Sequence, residues 1–211
     1  MRPLFVSATG TNVGKTYTTL RLIKAFARKN IRVGVCKPIE TGVTDTPVDA
    51  KLLLDACRKA NPAFRSFSPF DITAYTFPLP AAPFSADTRK TIQVDKIHDK
   101  IRELHKHCDL LIIEGAGGLM VPITSDYLMI DLARELGAKI LLVTPSRLGC
   151  INDTLLSIEA LRNRDIDFDW CVNLYEDSDT FEKVTKPFYD IKFPHWWDAD
   201  KGVDHFVKNY L

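Results

Sequence analysis

The 211 residues suffice for one sizeable domain, and an apolar share of 45% can fill a core of that size. Lys and Arg total 28 against 27 for Asp and Glu, so no net field draws the chain to nucleic acid or to an anionic membrane, and neither is expected as a partner. Five cysteines at 36, 57, 108, 150 and 171 lack Cys-x-x-Cys spacing, and no apolar run approaches the ~20 residues of a bilayer span, which predicts a cytoplasmic protein.

The apolar run Leu4-Phe5-Val6 predicts a strand that enters Ser7-Ala8-Thr9-Gly10-Thr11-Asn12-Val13-Gly14-Lys15-Thr16 and then a helix with Leu20, Ile23 and Ala27 on one face. The segment reads as a phosphate-binding loop: backbone amides and a helix start wrap an anion, Lys15 reaches the outer phosphates, and the Thr16 hydroxyl ligates magnesium. The strict pattern wants Gly where this chain has Thr9, so the loop is a variant one. Asn30 ends the helix before a strand over Ile31 to Cys36.

A loop with Pro38, Gly42 and Pro47 leads to a short helix from about Asp49 to Lys59, and then to a Pro-rich, aromatic stretch over 61–86 without a clear period. Val94, Ile97, Ile101 and Leu104 mark a further helix, feeding a strand over Leu110 to Ile113 and a loop over Glu114 to Pro122. A helix with Leu128, Leu132 and Leu136, a strand over Ile140 to Val143, a helix with Ile151, Leu155, Ile158 and Leu161, and a last strand near Phe168 to Val172 follow. Alternating strands and helices imply an α/β fold, a P-loop NTPase-type three-layer sandwich with a mostly parallel sheet covered by helices on both faces, as a single domain over 1–211.

In such sheets ligands bind at the carboxyl ends of strands. There the sequence places Lys15 and Thr16, then Lys37-Pro38-Ile39-Glu40-Thr41-Gly42, then Glu114-Gly115-Ala116-Gly117-Gly118, then the helix start at Cys150-Ile151-Asn152, then Asn173. His105, His107 and Cys108 read as the surface end of a helix and the charged stretch from Glu176 to Lys186 as a solvated segment; Trp196-Trp197 is expected to bury a small core edge.

In order and spacing, the loop over 9–16, Lys37-Pro38-x-x-Thr41-Gly42, Glu114-Gly115-Ala116-Gly117-Gly118 and Leu148-Gly149-Cys150-Ile151-Asn152 resemble the dethiobiotin synthetases, over roughly residues 1–173. The resemblance implies closure of a cyclic urea: 7,8-diaminononanoate takes up CO2 (or bicarbonate) as a carbamate, ATP phosphorylates it, and the second amine displaces phosphate. It implies catalytic roles for Lys37, Lys15 and Thr11, and magnesium held by Thr16, Asp49 and Glu114, with Asp45 the competing ligand. It further implies nucleotide contacts from Asn12, Val13, Gly14, Lys15, Thr16, Tyr17, Asp49, Glu114, Gly115, Ala116, Gly117 and Asn173. Thr41, Gly118, Cys150, Ile151 and Asn152 would hold the substrate, the last three from the partner subunit of a homodimer with sites at the interface. The chain departs from the family at Ala8, Gly10 and Asn12, and it lacks the Gly-x-Ile-Pro type segment that usually flanks the base. Two other readings of the loop are a nucleotide-switch ATPase and an amide-forming synthetase subunit.

Overall fold

The computed structural model describes residues 1–175, 177–193 and 195–211. All five residues of β1 (Leu4–Ala8) are buried, as they must be in a central parallel strand with helices over both faces. β1 lies between β5 (Leu110–Gly118) and β6 (Lys139–Pro145), both parallel to it. With β2 (Val33–Cys36), β7 (Phe168–Asn173) and β8 (Trp197–Asp198) they form a six-stranded sheet in the order β2-β5-β1-β6-β7-β8, parallel at every pairing. The strand order changes direction beside β1, so the crevice at its carboxyl end is open to a ligand.

The helices take the lengths their periodicity sets. α1 (Lys15–Ala27) buries Thr19, Leu22, Ile23 and Phe26, while Asn30 follows at φ 60, a left-handed turn residue past the helix end. α2 (Val48–Ala60) buries Ala50, Leu53, Leu54 and Cys57 and packs along α1. α3 (Pro83–Ala86) is a single turn, and α4 (Val94–His105) buries Ile97, Ile101 and Leu104. α5 (Met129–Glu135) and α6 (Cys150–Arg162) complete the crossovers.

Three stretches differ from the expected elements. Residues 114–118 belong to β5: Val6 pairs with Glu114 and Ala8 with Gly118, with a register irregularity between the two. The periodless stretch over 61–86 contains a 3₁₀ turn (Pro62–Phe64), the three-residue β4 (Tyr75–Phe77) and α3, pieces too short to show a period. β4 pairs in parallel with β3 (Ile39–Thr41) as a separate two-stranded sheet, tied at its root by Lys37 N–H to Ile72 O at 2.9 Å and by Ala74 N–H to Pro38 O at 2.9 Å.

The tail extends the core. α7 (Ser178–Thr180) runs through a π-helical turn (Phe181–Thr185) into α8 (Lys186–Lys192), and α9 (Val203–Tyr210) packs on α1. Trp197 stacks on Phe206 at 5.3 Å and Trp196 meets Phe181 edge-on at 5.7 Å, so the Trp pair packs the tail, as expected. Of the charged stretch over 176–186, Glu176 lies outside the described residues, while Asp177 to Thr180 and Glu182 to Val184 are exposed. His105, His107 and Cys108 are half-buried, and no group of three or more His, Cys, Asp or Glu side chains suited to hold a metal occurs among the described residues.

Candidate active site

The end of β1 must turn sharply to start α1, and Gly14 makes the turn at φ 99, where a side chain is strained. A Cβ at Gly14 would also fall 2.0 Å from Nδ2 of Asn173. That amide, 4% exposed at the end of β7, donates to Val13 O at 3.0 Å and so clamps the loop against the sheet. Gly118 serves the other flank, where a Cβ would meet the carbonyl oxygens of Ala8 and Thr9 at 3.2 and 3.3 Å. The loop is thus held at both sides by the ends of β5 and β7.

α1 therefore begins at Lys15, with Thr16 and Thr19 one turn apart on the face toward β5. Glu114, fully buried at the end of that strand's regular section, accepts from Thr16 Oγ1 and Thr19 Oγ1, both at 2.9 Å. Lys37 follows the end of β2 and donates to Oε1 of Glu114 at 2.7 Å and to Gly115 O at 3.2 Å. Its ammonium also lies 3.1 Å from Oδ2 of Asp49, in the first turn of α2. Glu40, in β3, accepts from the backbone N–H groups of Asp49 and Ala50, both at 2.9 Å.

Charge is distributed unevenly across this cluster. Burial pulls the Lys37 amine down, but the carboxylates of Glu114 and Asp49 outweigh it, and the group is held well above the ordinary lysine range as a firm cation. Lys15 goes the other way: burial and the neighbouring Lys37 ammonium bring it down to about 8, with its Nζ folded onto Gly10 O at 2.8 Å. Burial raises the Glu40 carboxyl, against the two backbone donors that lower it.

A cleft of about 700 Å³ opens over these groups. Thr11, Asn12, Gly14, Lys15 and Thr16 form its loop side, Lys37, Glu40, Thr41 and Asp49 its floor and far side, and Ala116 and Gly117 its edge. Asp45 is exposed and does not line it, so the structure brings Asp49 to the cluster. Glu114 sits behind the floor, reached through Thr16 and Lys37, with Val13, Gly115 and Gly118 in support. The fourth wall is Pro80-Ala81-Ala82-Pro83, from the stretch the sequence left unread.

Some expected residues lie elsewhere. The phenol of Tyr17 turns from the cleft, donating to Asp200 in the tail with its ring beneath the Arg21 guanidinium. Asn173 reaches the loop backbone, where the sequence suggested a base contact. Cys150, Ile151 and Asn152 do not line this chain's cleft: Cys150 is buried against Tyr189 and Thr185, while Asn152 is exposed. The sequence reading missed Thr19, Glu40 as a helix cap, and the proline wall. Only Thr19 carried a signal, through its three-residue spacing from Thr16.

The oxygen donors suit a hard divalent cation. Thr16 Oγ1 and the partly exposed Asp49 carboxylate face the cleft, while Glu114 is engaged by three protein donors. Magnesium held here would draw its remaining ligands from phosphate oxygens and water, as it usually does.

A family model described as an AAA domain matches residues 2–171. The chain is 59% identical over 209 residues to ATP-dependent dethiobiotin synthetase BioD of Sulfurovum sp. (strain NBC37-1), covering 99% of this chain and 100% of that one. It is 40% identical to the protein of that name from Wolinella succinogenes, over 100% of this chain and 99% of the other, and 38% identical to that of Helicobacter pylori (strain Shi470), over 89% and 88%. Among solved structures it is similar to a plasmid partition protein of Borrelia burgdorferi (TM-score 0.58, 9% identity, covering 99% of this chain and 95% of that one). It is also similar to the MinD cell division protein of Aquifex aeolicus (TM-score 0.53, 16% identity, 98% and 86%). At those identities the likeness is one of fold.

Proposed function

The chain belongs to the AAA-domain family matched over residues 2–171 and, within it, to the ATP-dependent dethiobiotin synthetases, ligases of biotin biosynthesis; from that premise we propose that it closes the cyclic urea of dethiobiotin from 7,8-diaminononanoate, CO2 and ATP. One amine of the diamine adds to CO2 and gives a carbamate. The carbamate oxygen takes the γ-phosphoryl of ATP, forming a carbamic-phosphoric anhydride and ADP. The second amine then attacks the carbonyl carbon and inorganic phosphate leaves. Phosphorylation is needed because the carbamate oxygen is otherwise a poor leaving group.

The observation that carries this reading is the Lys37 ammonium, held as a cation between Glu114 and Asp49 and opposite the phosphate loop in one cleft. Phosphoryl transfer depends on in-line placement and charge neutralisation more than on a protein nucleophile. Lys15 and Lys37 supply positive charge on the two sides of the transferring group and favour the anionic carbamate over free amine. Thr11 and Thr41 offer hydroxyls to the diamine end, and Ile39 with the proline wall faces its aliphatic chain. Thr16 and Asp49 would hold magnesium, with Glu114 orienting Thr16; the ion supplies neutralisation of phosphate charge.

The substrate's distant carboxylate needs an anion site, and the start of α6 at Cys150-Ile151-Asn152 of a second copy is the proposed one, so the working unit is a homodimer. No helix among the described residues is long and apolar enough to cross a membrane. The deciding measurement is phosphate release from MgATP and bicarbonate with and without 7,8-diaminononanoate, with the product weighed by mass spectrometry. Stimulation by the diamine and a cyclic urea are expected; their joint absence overturns the reading.

A further inference from the structure

α2 starts without a cap of its own. Its cap position is Pro47, whose side chain accepts nothing, although the first turn of any helix leaves backbone N–H groups in need of acceptors. Glu40 fills that need from another element. Its two carboxylate oxygens accept separately from Asp49 N–H and Ala50 N–H, both at 2.9 Å, the second and third residues of the helix and those that a capping side chain would normally serve. The residue is 7% exposed and borders the cleft, and its negative charge also faces the positive end of the helix. A buried carboxylate from another element is a demanding way to cap a helix, since Ser or Asp at position 47 would serve the same amides from the cap position itself.

The difference lies in what this arrangement fixes. Glu40 stands in β3, three residues after Lys37, and the peptide it grips is that of Asp49, whose Oδ2 meets the Lys37 ammonium at 3.1 Å. The ring Lys37, β3, Glu40, Asp49, Lys37 is thereby closed by backbone and side chain. An acceptor at position 47 would cap the helix but leave α2 free to slide relative to β3.

We propose that Glu40 is a positioning residue of this site, which holds the first turn of α2 in register so that Asp49 stays against Lys37. It touches neither nucleotide nor diamine in this role and acts through Asp49. The proposal rests on the synthetase reading for its kinetic consequence and on geometry alone for its structural one.

The test uses the full chain with Glu40→Gln, Asp49→Asn and the double variant. Gln keeps the volume but turns an amide NH2 toward one of the two N–H donors. Glu40→Gln is expected to lower kcat about tenfold or more, with KM for MgATP within about threefold, and to add nothing further in the Asp49→Asn background. Amide hydrogen exchange of the ligand-free protein, which needs no turnover, is expected to quicken at Asp49 and Ala50 by about tenfold or more while the strands of the main sheet stay protected. Glu40→Asp, with a shorter reach to the same donors, is expected to fall between wild type and Gln. A kcat equal to wild type, effects that multiply in the double variant, or unchanged exchange at both amides overturns the proposal. If the wild-type chain forms no cyclic urea, the synthetase reading falls by itself, and the exchange experiment still decides whether Glu40 holds the helix.

Discussion

Nζ of Lys37 lies 2.7 Å from Oε1 of Glu114, and both side chains are almost wholly withdrawn from solvent, at 4% and 0% exposure. Removing one partner of such a pair strands the other charge in the interior, which costs about 3–5 kcal/mol. Lys37→Ala is therefore expected to abolish turnover and also to lower the melting temperature. Lys37→Ala with Glu114→Gln is expected to regain much of the stability and none of the activity. Calorimetric melting and phosphate release check both; near-normal turnover in the single variant would remove Lys37 from the chemistry.

Lys15 gives a pH signature. Its amine is brought down to about 8 by burial and by Lys37, against 10.5 in an unfolded chain. Between those values the unfolded state binds more protons than the folded one, so on this group's account stability of the ligand-free protein rises with pH from about 8 toward 10.5 and is diminished below that window. A triphosphate beside the amine favours its charged form. MgATP binding is thus expected to take up protons near pH 8 and almost none near pH 6.5, measured by titration calorimetry in buffers of different ionisation enthalpy; equal uptake at both pH values would contradict it.

The two acids of the first α2 region separate cleanly. Asp49 contacts Lys37 and lines the cleft, whereas Asp45 is exposed away from it. Asp49→Asn is expected to lower kcat by about tenfold or more, and Asp45→Asn to stay within about twofold of wild type. The reverse order would move the metal-side carboxylate to position 45.

The Asn173 amide leaves no room for a side chain at Gly14, where a Cβ would fall 2.0 Å from its Nδ2. Gly14→Ala must displace the Asn173 amide and adopt a strained backbone, so loss of nucleotide binding is expected. Asn173→Ala leaves the Val13 carbonyl without its donor, and a milder loss of MgATP affinity is expected, with the preference between ATP and GTP unchanged because the amide serves the loop. Fluorescent-nucleotide titration reads both variants. A marked change in base preference would return Asn173 to the base.

Five strands of the main sheet, β1, β2, β5, β6 and β7, were legible because each holds a continuous apolar run between helices, the pattern of parallel strands buried on both faces, whereas the two-residue edge strand β8 was not. β3, β4 and α3 escaped because three or four residues cannot display a period, and their placement depends on bonds to Lys37 and Pro38 that no local signal announces. In the site, Lys15, Thr16, Lys37 and Glu114 could be read from strand ends. Glu40 could not: a single acid in a short strand looks solvent-facing until the uncapped helix across from it is seen. Asn173 was placed correctly at a strand end, but its partner proved to be backbone, a choice that chain direction alone does not make.

The proline wall and the Lys37 peptide share one anchorage, since Ile72 and Ala74 bond to Lys37 and Pro38 before the chain runs through β4 to Pro80. Under the proposed reaction, the wall facing the aliphatic chain of the substrate and the peptide bearing the Lys37 cation are thus a single mechanical part. On that proposal, recutting the wall for a longer or shorter diamine is expected to retune the phosphoryl step with the same cut, so substrate range and turnover would have to be optimised together.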